Sequence, residues 1–423
     1  MSAVDAFLQE IIAAPDEDGP RLVYADWLEE RGDPRAEFIR VQCEEARLGD
    51  CARRSKLRRR AKLLRERYGS EWTAALDASG PEFRDLEYHR GFVESATISI
   101  RYFLKSGAGV MSRTPLRRVV LTSGDKLLPK LAHAQHLQQI EELHFADSGF
   151  PEQDLADFFQ SPHLANLRGF RLYGTYSIGN VLASGLASAS LPKLTALDLG
   201  PSQTIDPNWV TTLLTAPWLS TVEMLCLRNL SDGAVREIAA NPLLGKLKVW
   251  DLSGSGQPLS AETGRTLAAS RLTERLEHLK MEFCGMEVGG LQAMAATHWP
   301  RLQFLNFNYA ELGPAGVEAL AAGNWPALKV LNLASSAMGS RGLNALLRRP
   351  WLKSLERLSL RGNNLTNYDV LRLIASPNWS HKTDINLADN PILRVEALEI
   401  LEKLSRIGGP LPAELRRVTN GRL

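Results

Sequence analysis

Along most of the chain, apolar residues recur in one block: apolar-x-x-apolar-x-apolar. It reads LRRVVL from 116, IEELHF from 140, LRGFRL from 167, LTALDL from 194, VEMLCL from 222, LKVWDL from 247, LEHLKM from 276, LQFLNF from 302, LKVLNL from 328, LERLSL from 355 and KTDINL from 382, the last with Lys382 in the first position. The middle apolar residues are Val119, Leu143, Phe170, Leu197, Leu225, Trp250, Leu279, Leu305, Leu331, Leu358 and Ile385, 24 to 29 residues apart. The closing apolar-x-apolar alternates with period two and predicts a short strand with alternate side chains inward. Three residues past the last apolar position stands a small or polar residue: Ser148, Thr175, Ser202, Ser255, Cys284, Ser336, Asn363 or Asn390. Such a side chain can satisfy backbone groups where the strand turns away. Segments such as GAVREIA from 233, GVEALA from 316 and GLNALL from 342 follow, with apolar residues three apart, which predicts a short helix. Each unit is therefore strand, turn, helix and return. One unit cannot bury its apolar face alone, so the units must stack.

Five tryptophans (218, 299, 325, 351 and 379) fall six or seven residues before the next middle position, so they share one slot on the return segment. A packing column is expected there. His136 and His163 occupy the same slot, which gives His136 a packing role. His133, His136 and His144 lack a cysteine or carboxylate at ligand spacing, and no metal site is expected.

This pattern resembles the leucine-rich repeat, in the longer-period subfamily typified by ribonuclease inhibitor, over roughly residues 116–390. The resemblance implies an α/β fold: a right-handed solenoid of about eleven units, with parallel strands on a concave face and helices on a convex face. It also implies caps on both ends of the core. YHRGFVESATISI from 88, with the helix-like stretch after it, fits an N-terminal cap at 79–115. VEALEILEKLSRI from 395 fits a C-terminal cap at 391–423.

The first fifty residues read differently. Val4, Phe7, Leu8, Ile11 and Ile12 mark one helix face, ended by Pro15. Leu22, Val23, Asp26, Trp27 and Leu28 mark a second helix, stopped at Gly32. Phe38, Ile39 and Gln42 mark a third, started at Asp33-Pro34. The run RLVYADWLEERGDPRAEFIRVQ from 21 resembles the bacterial repeat-companion domain, a module that precedes leucine-rich or related repeats. It implies an architecture for residues 1–50 and no activity. Asp26, Glu29, Glu30, Asp33 and Glu37 are expected on solvated helix faces.

Charge sharpens the N-terminal picture. Residues 1–50 hold 13 acids and 5 arginines, while RRSKLRRRAKLLRER at 53–67 holds nine bases and one acid. The basic helix, within a 51–78 linker, either docks against the acidic module or contacts nucleic acid or another anionic surface; near-cancelling charges favour docking. Over the whole chain the net charge is only +2, so no global field draws in polyanions. The four cysteines (43, 51, 226 and 284) have neither zinc nor disulfide spacing and fit a reducing compartment. With no signal-like start and no apolar run of the ~20 residues a membrane span needs, a cytoplasmic protein is expected.

Catalytic signatures are missing. There is no P-loop, HExxH, GxSxG or dinucleotide fingerprint, and no cofactor is expected. Glu142, Asp198, Asp251, Glu282 and Asp384 fall on the concave face, with Asp198 and Asp251 two repeats apart, about 10 Å at ~4.8 Å per strand, borderline for a glycosidase pair. The expectation is a non-enzymatic scaffold that binds an unidentified protein on its concave face. Binding of nucleic acid through 53–67, or regulation of a partner enzyme, are the alternatives. The third, fifth and seventh block positions supply the binding surface. Phe304 and Val330 should lie side by side, flanked by His278, Lys280, Asn306, Asn308 and Asn332, with Arg357 and Arg361 beyond. Arg171, Tyr173 and Arg228 form a second candidate. Cys226 should be partly exposed.

Overall fold

In a computed structural model, residues 2–49, 51–74, 76, 83–146, 149–174, 177–200, 204–205, 208–254 and 257–391 are described. The proposed C-terminal cap therefore lies outside the described residues, Pro391 apart. The chain divides into two compact units, Met1–Thr175 with Ser188–Leu194, and Tyr176–Ala187 with Thr195–Leu423.

The first unit opens with four helices: α1 (Ala3–Ala13), α2 (Asp18–Glu29), α3 (Arg35–Arg47) and α4 (Ala52–Ala74). Ser2 and Asp5 close a capping box on α1, and Leu8 and Ile11 are its buried face. Helix α2 exists as read, but its inward face is Arg21, Tyr24, Ala25 and Leu28, whereas Val23 is 54% exposed. Helical spacing puts 21, 24, 25 and 28 on one side, so the arginine belongs to the core face and the valine does not. Phe38 and Ile39 of α3 are fully buried, against two different clusters. Ile39 packs with α1 and α2, while Phe38 stacks on Trp72 of α4 with ring centroids 4.7 Å apart.

A hairpin follows, β1 (Arg84–His89) antiparallel to β2 (Phe92–Ser99), then α5 (Ile100–Met111). Gly91, in the hairpin turn at φ 89°, lies against Ile39, where any Cβ would overlap that side chain. Strand β2 pairs in parallel with β3 (Arg118–Thr122), which pairs with β4 (Glu142–Ala146), which pairs with β5 (Gly169–Leu172). The crossovers contain α6 (Leu128–Ala132) and α7 (Glu152–Phe158).

The second unit repeats the scheme. A two-residue parallel pair, β6 (Ser177–Ile178) with β8 (Thr204–Ile205), lies apart from the main sheet. Helix α8 (Asn180–Ser188) belongs to this unit but for its last residue. The main strands are β7 (Ala196–Leu199), β9 (Met224–Leu227), β10 (Val249–Asp251), β11 (His278–Lys280), β12 (Phe304–Asn306), β13 (Val330–Asn332), β14 (Arg357–Ser359) and β15 (Asp384–Asn386). They pair in parallel in that order. Between them run α9 (Trp209–Leu213), α10 (Asp232–Ala240), α11 (Ala261–Ala269), α12 (Val288–Ala296), α13 (Gly313–Ala321), α14 (Gly339–Leu347) and α15 (Asn367–Ala375).

The register is the one the repeat predicts. Leu197, Leu225, Trp250, Leu279, Leu305, Leu331, Leu358 and Ile385 are consecutive partners, and all are buried. Trp218, Trp299 and Trp325 are buried with their indole N–H groups donated to the carbonyls of Leu186, Met294 and Leu320, which makes the slot a packing column. Trp351 remains half-buried.

Two devices hold the turns. Asn363 Oδ1 accepts from the N–H groups of Ser336 and Met338, while its Nδ2 donates to the carbonyls of Leu333 and Arg361. Asn390 does the same one repeat on, for the N–H groups of Asn363 and Leu365 and the carbonyl of Leu360. These fill the strand-exit role expected of that position. The second device is conformational. Where the fourth residue past the middle position is itself described, it has a left-handed backbone: Ser123 and Gly174 in the first unit, and Asn229, Gly254, Phe283, Tyr309, Ser335, Gly362 and Asp389 in the second. In the second unit, each of these from Asn229 to Gly362 donates its N–H to a carbonyl in the next repeat. The turn needs φ > 0 to aim that N–H along the stack.

Candidate functional site

The strand face of the second unit brings the first candidate set together. His278, Phe304, Val330, Arg357 and Asp384 are consecutive partners across β11 to β15, as are Lys280, Asn306, Asn332, Ser359 and Asn386. Phe304 and Val330 are therefore neighbours, as expected. Their exposure is less than expected: Phe304 is half-buried, because the His278 ring stacks on it at 5.4 Å. Burial pulls His278 below the usual histidine range, and Lys280 adds to the effect. The stack is thus between an uncharged imidazole and a phenyl ring at neutral pH.

Asn306 departs from its expected role. It is 4% exposed. Its Oδ1 accepts from the N–H of Asn308, and its Nδ2 donates 2.6 Å to Glu282 Oε1. Asn332 likewise accepts from the N–H of Ala334, and Asn386 from that of Ala388. An asparagine here folds back on its own chain two residues on, as asparagines do in turns. These carboxamides build the strand exit, and only their outer edges face solvent. Arg357 and Arg361 are exposed, and Arg361 pairs with Asp389 at 2.6 Å.

The second candidate set is divided between the units. Arg171 is exposed and Tyr173 meets His144 edge-on at 5.0 Å in the first unit. Arg228 is in the second unit, where it donates to Asp251 Oδ2 at 3.0 and 3.2 Å. Cys226, expected to be partly exposed, is buried. The register seats it between Asp198 and Asp251. Burial first, then those two carboxylates, push its thiol up to about 12, so it stays a neutral thiol rather than a nucleophile. Asp198 and Asp251 are themselves buried.

One pair of residues escaped the sequence reading. Phe283 and Tyr309, just past β11 and β12, are 55% and 44% exposed. Their rings stack with centroids 4.8 Å apart and planes 2° apart. Both have the left-handed backbone, at φ 52° and 54°. The other described members of their column in this unit are Asn, Gly, Ser, Gly and Asp, all small and most of them suited to it. A bulky residue in this conformation costs on the order of 1–3 kcal/mol. The available signal was an aromatic four residues past the middle leucine in only two repeats.

In the first unit, α4 lies along α3. Arg60 forks onto Glu37 at 2.6 and 2.7 Å, Arg58 donates to Glu45 at 3.0 Å and Arg53 to Glu44. Asp26 and Glu29 hold Arg40, and Asp33 caps the N–H of Arg35. The carboxylates expected on solvated faces are on those faces, most of them paired with arginines. Among the described residues no three His, Cys, Asp or Glu side chains gather as a metal site. His136 Nε2 lies 3.1 Å from the Phe103 carbonyl, and its ring packs on Phe103. Among the described residues no helix is long and apolar enough to cross a membrane.

No family model matches the sequence, and no curated protein matches it. Among solved structures, one similar chain is from the crystal structure of the Rad7 and Elc1 complex in yeast, at 16% identity and a TM-score of 0.44, covering 87% of this chain and 91% of that one. Another is a Bacteroides fragilis protein, at 10% identity and a TM-score of 0.33, covering 69% of this chain and 82% of that one.

Proposed function

We propose that this protein is a non-enzymatic scaffold of leucine-rich-repeat type that binds a protein partner on the strand face of its second unit. The observation that carries the reading is the in-register row of His278, Phe304, Val330 and Arg357. An aromatic and an aliphatic side chain stand there half-exposed, with Lys280 and Arg361 on the adjoining rows. Apolar area ringed by polar groups is the usual composition of a binding hot spot. A face whose backbone is held by ladder bonds and asparagine caps loses little entropy on association, so modest contacts add. The experiment is affinity capture with mass spectrometry from the source cells, with the parent protein and the Phe304→Ala/Lys280→Ala variant. The expected result is a partner lost by the variant while thermal unfolding is unchanged. Equal recovery by both proteins would refute the site.

A further inference from the structure

We infer that the Phe283–Tyr309 ledge receives an arginine side chain of the partner polypeptide, stacked on the rings and paired with carboxylates of the same two loops. The inference rests on reading this face as a protein-binding one, and it names the chemistry the face selects.

Three observations converge. The rings are exposed and stacked with parallel planes, so each turns a flat outer face away from the other. A planar guanidinium matches such a face, whereas a quaternary ammonium is held best by rings boxed around it. The charge fits as well. Residues 281–287 and 307–313 carry Glu282, Glu287 and Glu311 and no Lys or Arg, while the flanking loops, 253–259 and 333–339, carry no charge. Glu282 is held in place by the Asn306 and Asn308 carboxamides, Glu287 accepts from the N–H of Ala261, and Glu311 is exposed. Among the described residues none of the three forms an ion pair, so each keeps its charge for a partner. The backbone supplies the third observation. Both aromatics occupy a conformation that favours Gly or Asn. Gly at both positions would relieve the backbone, and beyond their mutual stack the rings leave apolar area open to a partner.

The test uses the full chain and a fluorescein-labelled peptide of alternating glycine and arginine, read by anisotropy at low salt. A lysine peptide keeps the charge and loses the plane, and a citrulline peptide keeps the plane and loses the charge. The arginine peptide should bind best, the lysine peptide about two- to fivefold more weakly, as expected for an exposed cation–π contact, and the citrulline peptide should not saturate. Phe283→Gly with Tyr309→Gly should weaken the arginine peptide while the melting temperature holds or rises, because Gly relieves the left-handed backbone. That pairing separates the ledge from acidic surfaces elsewhere on the chain. Equal binding of arginine and citrulline peptides, or unchanged binding by the double glycine variant, overturns the inference. If it falls while Phe304→Ala/Lys280→Ala still loses the captured partner, the wider reading stands. If the ledge binds and that capture shows no difference, the wider site falls and the ledge remains.

Discussion

Leu305 and Asn306 are adjacent, and the difference between them sets the logic of every repeat. Leu305 points inward and is fully buried between Leu279 and Leu331. Truncation there leaves a void in a stack that cannot close it from one side, so Leu305→Ala should lower unfolding free energy by ~2–5 kcal/mol in urea titration. A variant as stable as the parent would mean that the register is wrong. Asn363 makes the same point for polar groups. It satisfies two backbone N–H groups and two carbonyls at once, and each buried group left unpaired costs about 1–3 kcal/mol. Asn363→Ala should therefore destabilise as much as the loss of a core leucine, although it removes no apolar area. Asn363→Asp keeps the acceptor but sets a carboxylate oxygen against the Leu333 and Arg361 carbonyls in a fully buried site, so at neutral pH it should destabilise at least as much as Ala. Thermal unfolding of the three proteins checks the order.

At the level of elements, the strands and helices of the repeats were legible because period-two and three-apart spacings are local signals, and the eleven middle positions were placed correctly wherever they are described. The inward face of α2 was not legible, because Arg21 looks like a surface residue in sequence. Its partner, Glu94, is 73 residues away, and nothing local announces it. The two are fully buried and joined at 2.7 Å. Arg21 also donates to the carbonyls of Pro15, His89 and Arg90, and Arg117, just before β3, holds the other Glu94 oxygen. This network ties α2 to the hairpin and to the first parallel strands. Burial alone would raise Glu94, but hydrogen bonds from His89 and Arg117 and the fields of Arg21 and Arg117 overcome it and hold the carboxyl at about 2. A folded-state value below the unfolded one means that the carboxylate contributes stability above the unfolded value. That contribution is lost as pH falls from about 4.5 towards 2. Parent protein should lose unfolding free energy across that window. Glu94→Gln should be less stable at neutral pH and show a flatter slope, since Arg21 then lacks its counter-charge. Parallel pH profiles for the two would show that the network does not act through this proton. The site was partly legible for a related reason: strand register predicts which residues are neighbours, but not that Asn306 would turn back onto its own backbone.

Across the whole molecule, opposite charges are matched locally rather than spread as a field. The net charge is +2 although residues 53–67 alone carry nine bases. The acidic stretch just before that helix supplies Glu37, Glu44 and Glu45 to Arg60, Arg53 and Arg58. Non-specific attraction to DNA depends on cations free to displace counterions from phosphate, and it weakens as log salt rises in proportion to their number. A helix that spends three arginines on neighbouring carboxylates has fewer to offer. Random-sequence duplex DNA should therefore bind more weakly than ~10⁻⁴ M at physiological salt, as read by anisotropy. Glu37→Gln with Glu44→Gln and Glu45→Gln should bind it more tightly and with a steeper salt dependence, because the freed arginines can reach phosphate. The same variant should melt lower than the parent at low salt, and the gap should narrow as salt screens the pairs. Micromolar binding by the parent, unchanged by those substitutions, would make the basic helix a nucleic-acid surface in its own right and move the functional centre of the molecule away from the strand face.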